Sequence, residues 1–400
     1  MERHAMSMHH LRGARALLAG AATAALLLGG ALGASADPIN PATGQIDRAR
    51  PVDGVGSDTT QDLNNGLAAV VTNGGQLVLG SWDATGSATI QTRTGGATFV
   101  RPNGSGNGVN ALKAAKTSGQ WQGVTLSPSD ITFARSSSAP STPAANGAYS
   151  YIPLAVDAVT YASATAGVPD GLTKADLTAI YSASNGQNVA LSNGQTYTIG
   201  LQSNTNADIV PFLPQTGSGT RSFFIGQLGL SETTLGSAVA WTYTGGSVQE
   251  HDGAALAAVP GSIVPFSIAQ HVAQGNADAL TTLYGVDVQD RRHGAVLHAV
   301  TSGGSAVEPV NTDGTLNTAF PIARPVFTVV QFAEISTNAN LASAFVGAGG
   351  AVYSAVSDED SFTIEDFGFG SLINRETGVN GVPINGVTYR AGDTTSLRSN

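Results

Sequence analysis

The sequence predicts an α/β protein of two lobes joined by two crossing hinge strands. Two observations carry this expectation. Short apolar strands run into glycine- and hydroxyl-rich turns and then into helix-spaced apolar residues, near 52–71, 97–115 and 208–225. Such β-then-α order implies an α/β sheet whose ligands sit beyond the carboxyl ends of the strands. Two longer apolar stretches, Tyr151–Tyr161 and Thr318–Phe332, divide the chain into a first segment, a middle block and a returning end. That is the plan of a chain crossing twice between lobes.

The chain has 400 residues, 42% hydrophobic and 12% charged, ample to bury a core and long enough for two or more domains. Its start reads as a secretory signal over 1–36. Arg3, Arg12 and Arg15 precede an apolar run from Ala16 to Ala34, and Ala34-Ser35-Ala36 is a small-residue cleavage pattern before Asp37. An uncleaved membrane anchor is the alternative for that run. The expected location is therefore secreted, extracellular or periplasmic. Residues 37–50, polar and Pro-containing, read as a flexible leader.

The elements then follow in order. Val52 to Ser57 reads as a strand ending in Gly54-Val-Gly-Ser-Asp-Thr-Thr60, with Asp58, Thr59 or Thr60 able to cap a helix through Leu63, Leu67 and Val71. Asp58 is the favoured cap. Strand-like runs follow at 76–82 and 88–92. Residues 97–102 lead through Asn103-Gly-Ser-Gly-Asn-Gly108 into a helix from Val109 to Ala115, and Ile131–Ala134 runs into Arg135 and three serines. Thr173 is the expected N-cap of a helix reaching Tyr181. Strands are expected at 196–201, 208–212 and 263–268, the last followed by a helix from Ala269. The prolines of the second crossing stretch suit an edge strand or a strand start. Closing elements are expected at 341–345 and 361–369, and the last fifteen residues read as loose.

Composition excludes several functions. A net charge of −10 is a poor match for nucleic acid, which favours basic patches. The absence of cysteine excludes disulfides, thiol catalysis, thiolate metal sites and a lipid-modified cysteine anchor. No Walker lysine pattern, Gly-x-Ser-x-Gly elbow or His-Glu-x-x-His helix occurs, so no enzyme is expected and no cofactor is implied. Glu250-His-Asp252 reads as a helix-start cluster rather than a metal or acid–base site, and His271, His293 and His298 receive no role.

The stretch with most chemistry is Leu213-Pro-Gln-Thr-Gly-Ser-Gly-Thr-Arg-Ser-Phe-Phe224. Its glycines let the backbone approach a ligand, and the helix opening behind them offers unpaired amides and the positive end of its dipole. Ser218 and Thr220 add hydroxyls and Arg221 a planar, permanent charge. Together these suit a small anion.

In order and spacing these turns resemble those of phosphate-binding proteins of ABC uptake systems, within the two-lobed periplasmic solute-binding family. The match runs through Gly54–Thr60, Gly104–Gly108, Phe133–Pro140, Gly217–Thr220 and the returning segment Phe320–Phe327, over roughly 52–370. The resemblance implies a periplasmic-binding-protein-like fold, with a first lobe of 51–155 plus 322–400 and a second of 156–321. It also implies closure around a tetrahedral oxyanion, inorganic phosphate first, with an ABC permease as a partner. By position, the anion-binding candidates are Ser57, Thr59, Thr60, Ser105, Arg135, Ser138, Ser218, Gly219, Thr220 and Arg221. The first motif's register is open by one residue, so Asp58 shares its vote. Two departures stand out: Ser138 replaces the family's aspartate, and Pro214 replaces an arginine. Arg135 and Arg221 could replace the missing charge if they point into the cleft. Without the carboxylate, discrimination between protonated and fully deprotonated oxyanions is expected to relax. The alternative is an extracellular surface or structural protein that keeps the fold and has lost anion binding.

Overall fold

The computed structural model describes residues 37–40, 43–358 and 361–400. The expected secretory segment lies outside them. Among the described residues, no helix is long and apolar enough to cross a membrane.

The strand–turn–helix reading holds through the first half of the chain. Strand β1 (Val52–Gly56) leads into α1 (Gln61–Val70), and β2 (Leu79–Ser81) lies parallel to β1. Helix α2 (Ser105–Lys116) begins four residues before the expected start. Strand β3 (Phe133–Ser136) pairs with the other side of β1, also in parallel. The first crossing is β4 (Tyr149–Ser163), whose fifteen residues are all buried. Thr173 caps α3 (Lys174–Tyr181) through a reciprocal capping box with Asp176. In the middle block, β5 (Val210–Pro211) precedes α4 (Gly219–Gln227), and β6 (Ser262–Ser267) precedes α5 (Ile268–Gly275) and α6 (Ala277–Tyr284). The second crossing, β7 (Ala323–Gln331), starts five residues later than expected.

One nine-stranded sheet links the two lobes in the order β5-β6-β4-β7-β3-β1-β2, with two short strands pairing off this path onto β4. The crossing strands β4 and β7 are antiparallel neighbours, and their register shifts between Pro153 and Ala155. The largest apolar cluster runs through both halves, from Val52, Leu63 and Phe133 to Leu177, Phe224 and Ile263.

Several expectations need correction. Strand β7 is not an edge strand: β4 lies on one side and β3 on the other. Pro325 is tolerated because β3 pairs only with Phe327–Val330, leaving the start of β7 bonded on one side alone. The expected leader is anchored at its two ends. Asp37 and Arg50 are each 4% exposed, and Asp37 receives Arg101 through two hydrogen bonds of 2.7 and 2.8 Å. Asp58 caps nothing with its side chain; its carboxylate takes Arg291 at 3.2 Å.

The tail is tied down as well. A helical turn α7 (Thr363–Asp366) is followed by a hairpin of β8 (Val382–Ile384) and β9 (Val387–Tyr389), and β10 (Arg398–Ser399) pairs with β4. The hairpin turns on Asn385-Gly386, both at positive φ (50° and 81°), the geometry a two-residue loop between twisted strands requires.

Candidate functional site

The glycine-serine turns from the two halves meet backbone to backbone. Gly106 N–H donates to the Gly217 carbonyl at 3.2 Å. Gly104 sits at φ 91°, and a Cβ there would lie 2.5 Å from the same carbonyl oxygen, so this position needs glycine twice over. Gly219 opens α4 so close to the first half that a Cβ would fall 2.3 Å from Ser105 Oγ and 2.4 Å from Ser137 Oγ. The Ser218 hydroxyl oxygen accepts the Arg221 N–H at 2.9 Å, which caps the helix.

Hydroxyls from both halves converge at this contact. Thr59 Oγ1 lies 3.1 Å from Thr220 Oγ1, and Ser105 Oγ lies 3.2 Å from Ser137 Oγ while accepting the Ser137 N–H at 2.9 Å. Arg324, 1% exposed, reaches them from β7. Its Nη2 donates to Thr220 Oγ1 at 3.0 Å and to Thr59 Oγ1 at 3.4 Å, and its Nη1 donates to the Ser137 carbonyl at 3.0 Å. Asp157, directly across in β4, holds the other edge of the guanidinium by two bonds of 3.0 and 2.8 Å. The remaining Asp157 oxygen accepts Ser267 Oγ–H and the Ala269 N–H, so both oxygens of this buried carboxylate are satisfied.

Glu250 and His251, read from sequence as a helix-start cluster, are 1% exposed at the centre of this site. Glu250 Oε2 accepts from Thr59 Oγ1 at 3.2 Å and from Thr220 Oγ1 at 3.5 Å. His251 Nδ1 accepts the Ser267 N–H, which leaves Nε2 to carry the ring proton; Nε2 lies 2.9 Å from Thr59 Oγ1 and 3.4 Å from Glu250. Burial alone would push the Glu250 carboxyl up. Hydrogen bonds from His251 and Ser218 and the nearby Arg324 charge outweigh it and hold the group below the usual carboxylate value. Glu250 Oε1 is buried without a partner, as is Gln270 Oε1, whose amide nitrogen donates to the Thr59 carbonyl at 2.8 Å.

The ten candidates therefore separate. Thr59, Ser105, Ser218, Gly219 and Thr220 gather within one cluster. Ser57 and Thr60 are buried beside it with hydroxyls that have no hydrogen-bond partner. Ser138 lies at the rim, lining a chamber of about 280 Å³ with Ser137 and Arg324.

The two arginines do not supply the cluster's charge. Arg135 turns back under the sheet and donates to the carbonyls of Ser57, Gly54 and Trp82 and to Ser81 Oγ. Its role there is to satisfy strand-end carbonyls. Arg221, 4% exposed, is taken up by Glu232 at 2.5 Å and by the Pro214 carbonyl, and lies over the Trp241 ring. The cation at the cluster is Arg324. It, Asp157, Ser137, Glu250, His251 and Gln270 are the residues the sequence reading missed. Among the described residues, no group of three or more His, Asp or Glu could hold a metal ion.

A family model described as the PBP superfamily domain matches residues 65–347. No curated protein sequence matches the chain. Solved structures similar to it include a candidate phosphate ABC transporter substrate-binding protein from Clostridium perfringens with bound phosphate. That likeness has 15% identity, 80% of this chain and 98% of the other covered, and a TM-score of 0.45. An ABC-type phosphate transport receptor from Vibrio cholerae is similar at 15% identity, with 80% and 99% covered and a TM-score of 0.42. PstS from Borrelia burgdorferi is similar at 14% identity, with 80% and 98% covered and a TM-score of 0.39.

Proposed function

The chain belongs to the PBP superfamily, and from that premise we propose a solute-binding protein that closes two lobes around a tetrahedral oxyanion, with inorganic phosphate the first candidate. The observation that carries this is the meeting of Thr59, Ser105, Ser137, Ser218 and Thr220 with buried Arg324 where the two halves touch. Hydroxyl donors and a desolvated guanidinium suit an oxyanion, since charge-assisted hydrogen bonds are the strong ones. We assign the first lobe to 51–155 and 322–400 and the second to 156–321. Export under the signal-like segment and delivery to an ABC permease belong to the same reading, which makes the protein a binder rather than an enzyme.

A second reading has its own observation. Glu250 already accepts from the threonine hydroxyls an anion would use, and one apolar cluster runs through both halves. This favours a surface protein in which the site has become an internal lock. The melting temperature of phosphate-free protein, measured against phosphate, sulfate, molybdate and arsenate, separates the two. An anion at about a thousand times its dissociation constant adds roughly 4 kcal/mol. The rise should vanish in Ser218→Ala/Thr220→Ala, and no response to any of the four anions would establish the lock instead.

A further inference from the structure

The cluster opens on one side into the chamber of about 280 Å³, and the walls of that chamber specify more than a bare anion. Its polar end is Ser137, Ser138 and Arg324. The rest is largely apolar, with Phe223, Ile384, Val387 and Tyr389 facing one another between α4 and the C-terminal hairpin. The Phe223 ring lies 5.3 Å from the Arg324 guanidinium carbon.

Arg324 is committed on its other sides. A guanidinium has five N–H donors; Nε and Nη2 serve Asp157, Thr220 and Thr59, and Nη1 makes a single bond, to the Ser137 carbonyl. Nη1 therefore keeps one hydrogen. The Glu250 carboxylate lies on the inner side of the two threonines and opposes a second negative charge there. An anion that reaches Arg324 with least repulsion comes from the chamber side.

We propose that the ligand is an oxyanion bearing one small apolar substituent, a phosphate monoester in its simplest form, with the phosphoryl group on Arg324 and Ser138 and the organic group in the chamber. This rests on the anion-binding reading above, but moves the phosphoryl group outward from the threonines, so that Arg324 is the residue shared with the site proposed there. A bare phosphate would leave the apolar walls wet, whereas an aryl or alkyl group displaces that water with a gain proportional to the carbon area covered. The hairpin thus acts as part of the binding wall, and Val387, 53% exposed on its rim, becomes a residue that selects the substituent.

Calorimetric titration with inorganic phosphate, phenyl phosphate and glycerol phosphate tests this, with Val387→Ser as the variant. Because Val387 is exposed, that substitution should leave the melting temperature nearly unchanged. Phenyl phosphate is expected to bind at least tenfold more tightly than inorganic phosphate, with glycerol phosphate between them. Val387→Ser, which removes apolar contact without adding charge, should cut the phenyl advantage severalfold, with a much smaller effect on inorganic phosphate. Inorganic phosphate binding as well as or better than phenyl phosphate overturns this inference and leaves the anion reading standing, as does an unchanged phenyl advantage in Val387→Ser. Failure of all three ligands overturns both.

Discussion

Replacing Asp157 with alanine should be among the most damaging single changes available to this protein. The carboxylate is fully buried and accepts four hydrogen bonds, two from Arg324 and one each from Ser267 and Ala269. Removing one partner of a buried ion pair costs about 3–5 kcal/mol, because the surviving charge stays buried without compensation. The two neutral donors left behind add about 1 kcal/mol each, for a total of roughly 5–7 kcal/mol. With an unfolding entropy near 2.1 cal/mol/K per residue over about 360 residues, each degree of Tm corresponds to roughly 0.8 kcal/mol. The expected fall is therefore about 6–9 °C by scanning calorimetry. A double-mutant cycle checks the cause. Asp157→Ala/Arg324→Met removes the stranded charge and should melt higher than Asp157→Ala alone. A single variant within about 1 °C of the parent would refute the reasoning, as would a double variant that melts lower still.

Two further outcomes follow from buried groups. Burial pushes the Asp53 carboxyl up to about 8, with the Trp82 indole N–H its hydrogen-bond partner and Oδ2 unpaired. The folded chain then holds this proton between about pH 4 and 8 where the unfolded chain has lost it, so stability falls as pH rises through that window. Asp53→Asn removes the penalty. Its stability advantage over the parent should grow by about 4 kcal/mol between pH 5 and pH 8, and equal Tm differences at both pH values would rule this out. Gly104→Ala should strain a backbone at φ 91° and press a methyl against the Gly217 carbonyl, at a cost of roughly 1–3 kcal/mol from conformation alone. The folded variant should lose its thermal response to anions; an undiminished response would show that contact between the two turns is not needed.

The parts of this fold legible in the sequence are those written locally. A strand, a glycine-serine turn and a helix lie within about twenty residues of one another, so Thr59, Ser105 and Thr220 could be picked out from their own neighbourhoods. Glu250 and His251 could not. They sit in a loop, with His251 at φ 53°, and acquire meaning only when Thr59, about 190 positions earlier, folds against them both. Arg324 and Asp157 did leave a signal. Each is a lone charge within an apolar crossing strand, and a charge buried in a strand needs a partner; two opposite charges in neighbouring crossings supply each other's. Arg135 showed the reverse, since a charge inside the short strand β3 satisfied carbonyls rather than a ligand. The C-terminal hairpin was overlooked and the last fifteen residues read as loose, although Asn385-Gly386 between β-branched residues is a strong two-residue turn signal.

The bonds around Asp157 fix where the charge of this cluster sits. Through one carboxylate, Arg324 is tied to Ser267 and Ala269, where β6 passes into α5. Its links to the opposite side are the Ser137 carbonyl and the longer contact with Thr59. On the proposed division of the chain, Arg324 belongs by its backbone to the first lobe, while its guanidinium is held by Asp157 at the start of the second. The cluster's cation therefore sits on the joint between them. A motion that parted Thr59 from Thr220 would pivot about that ion pair, and the charge would stay at the hinge rather than leave with either set of hydroxyls.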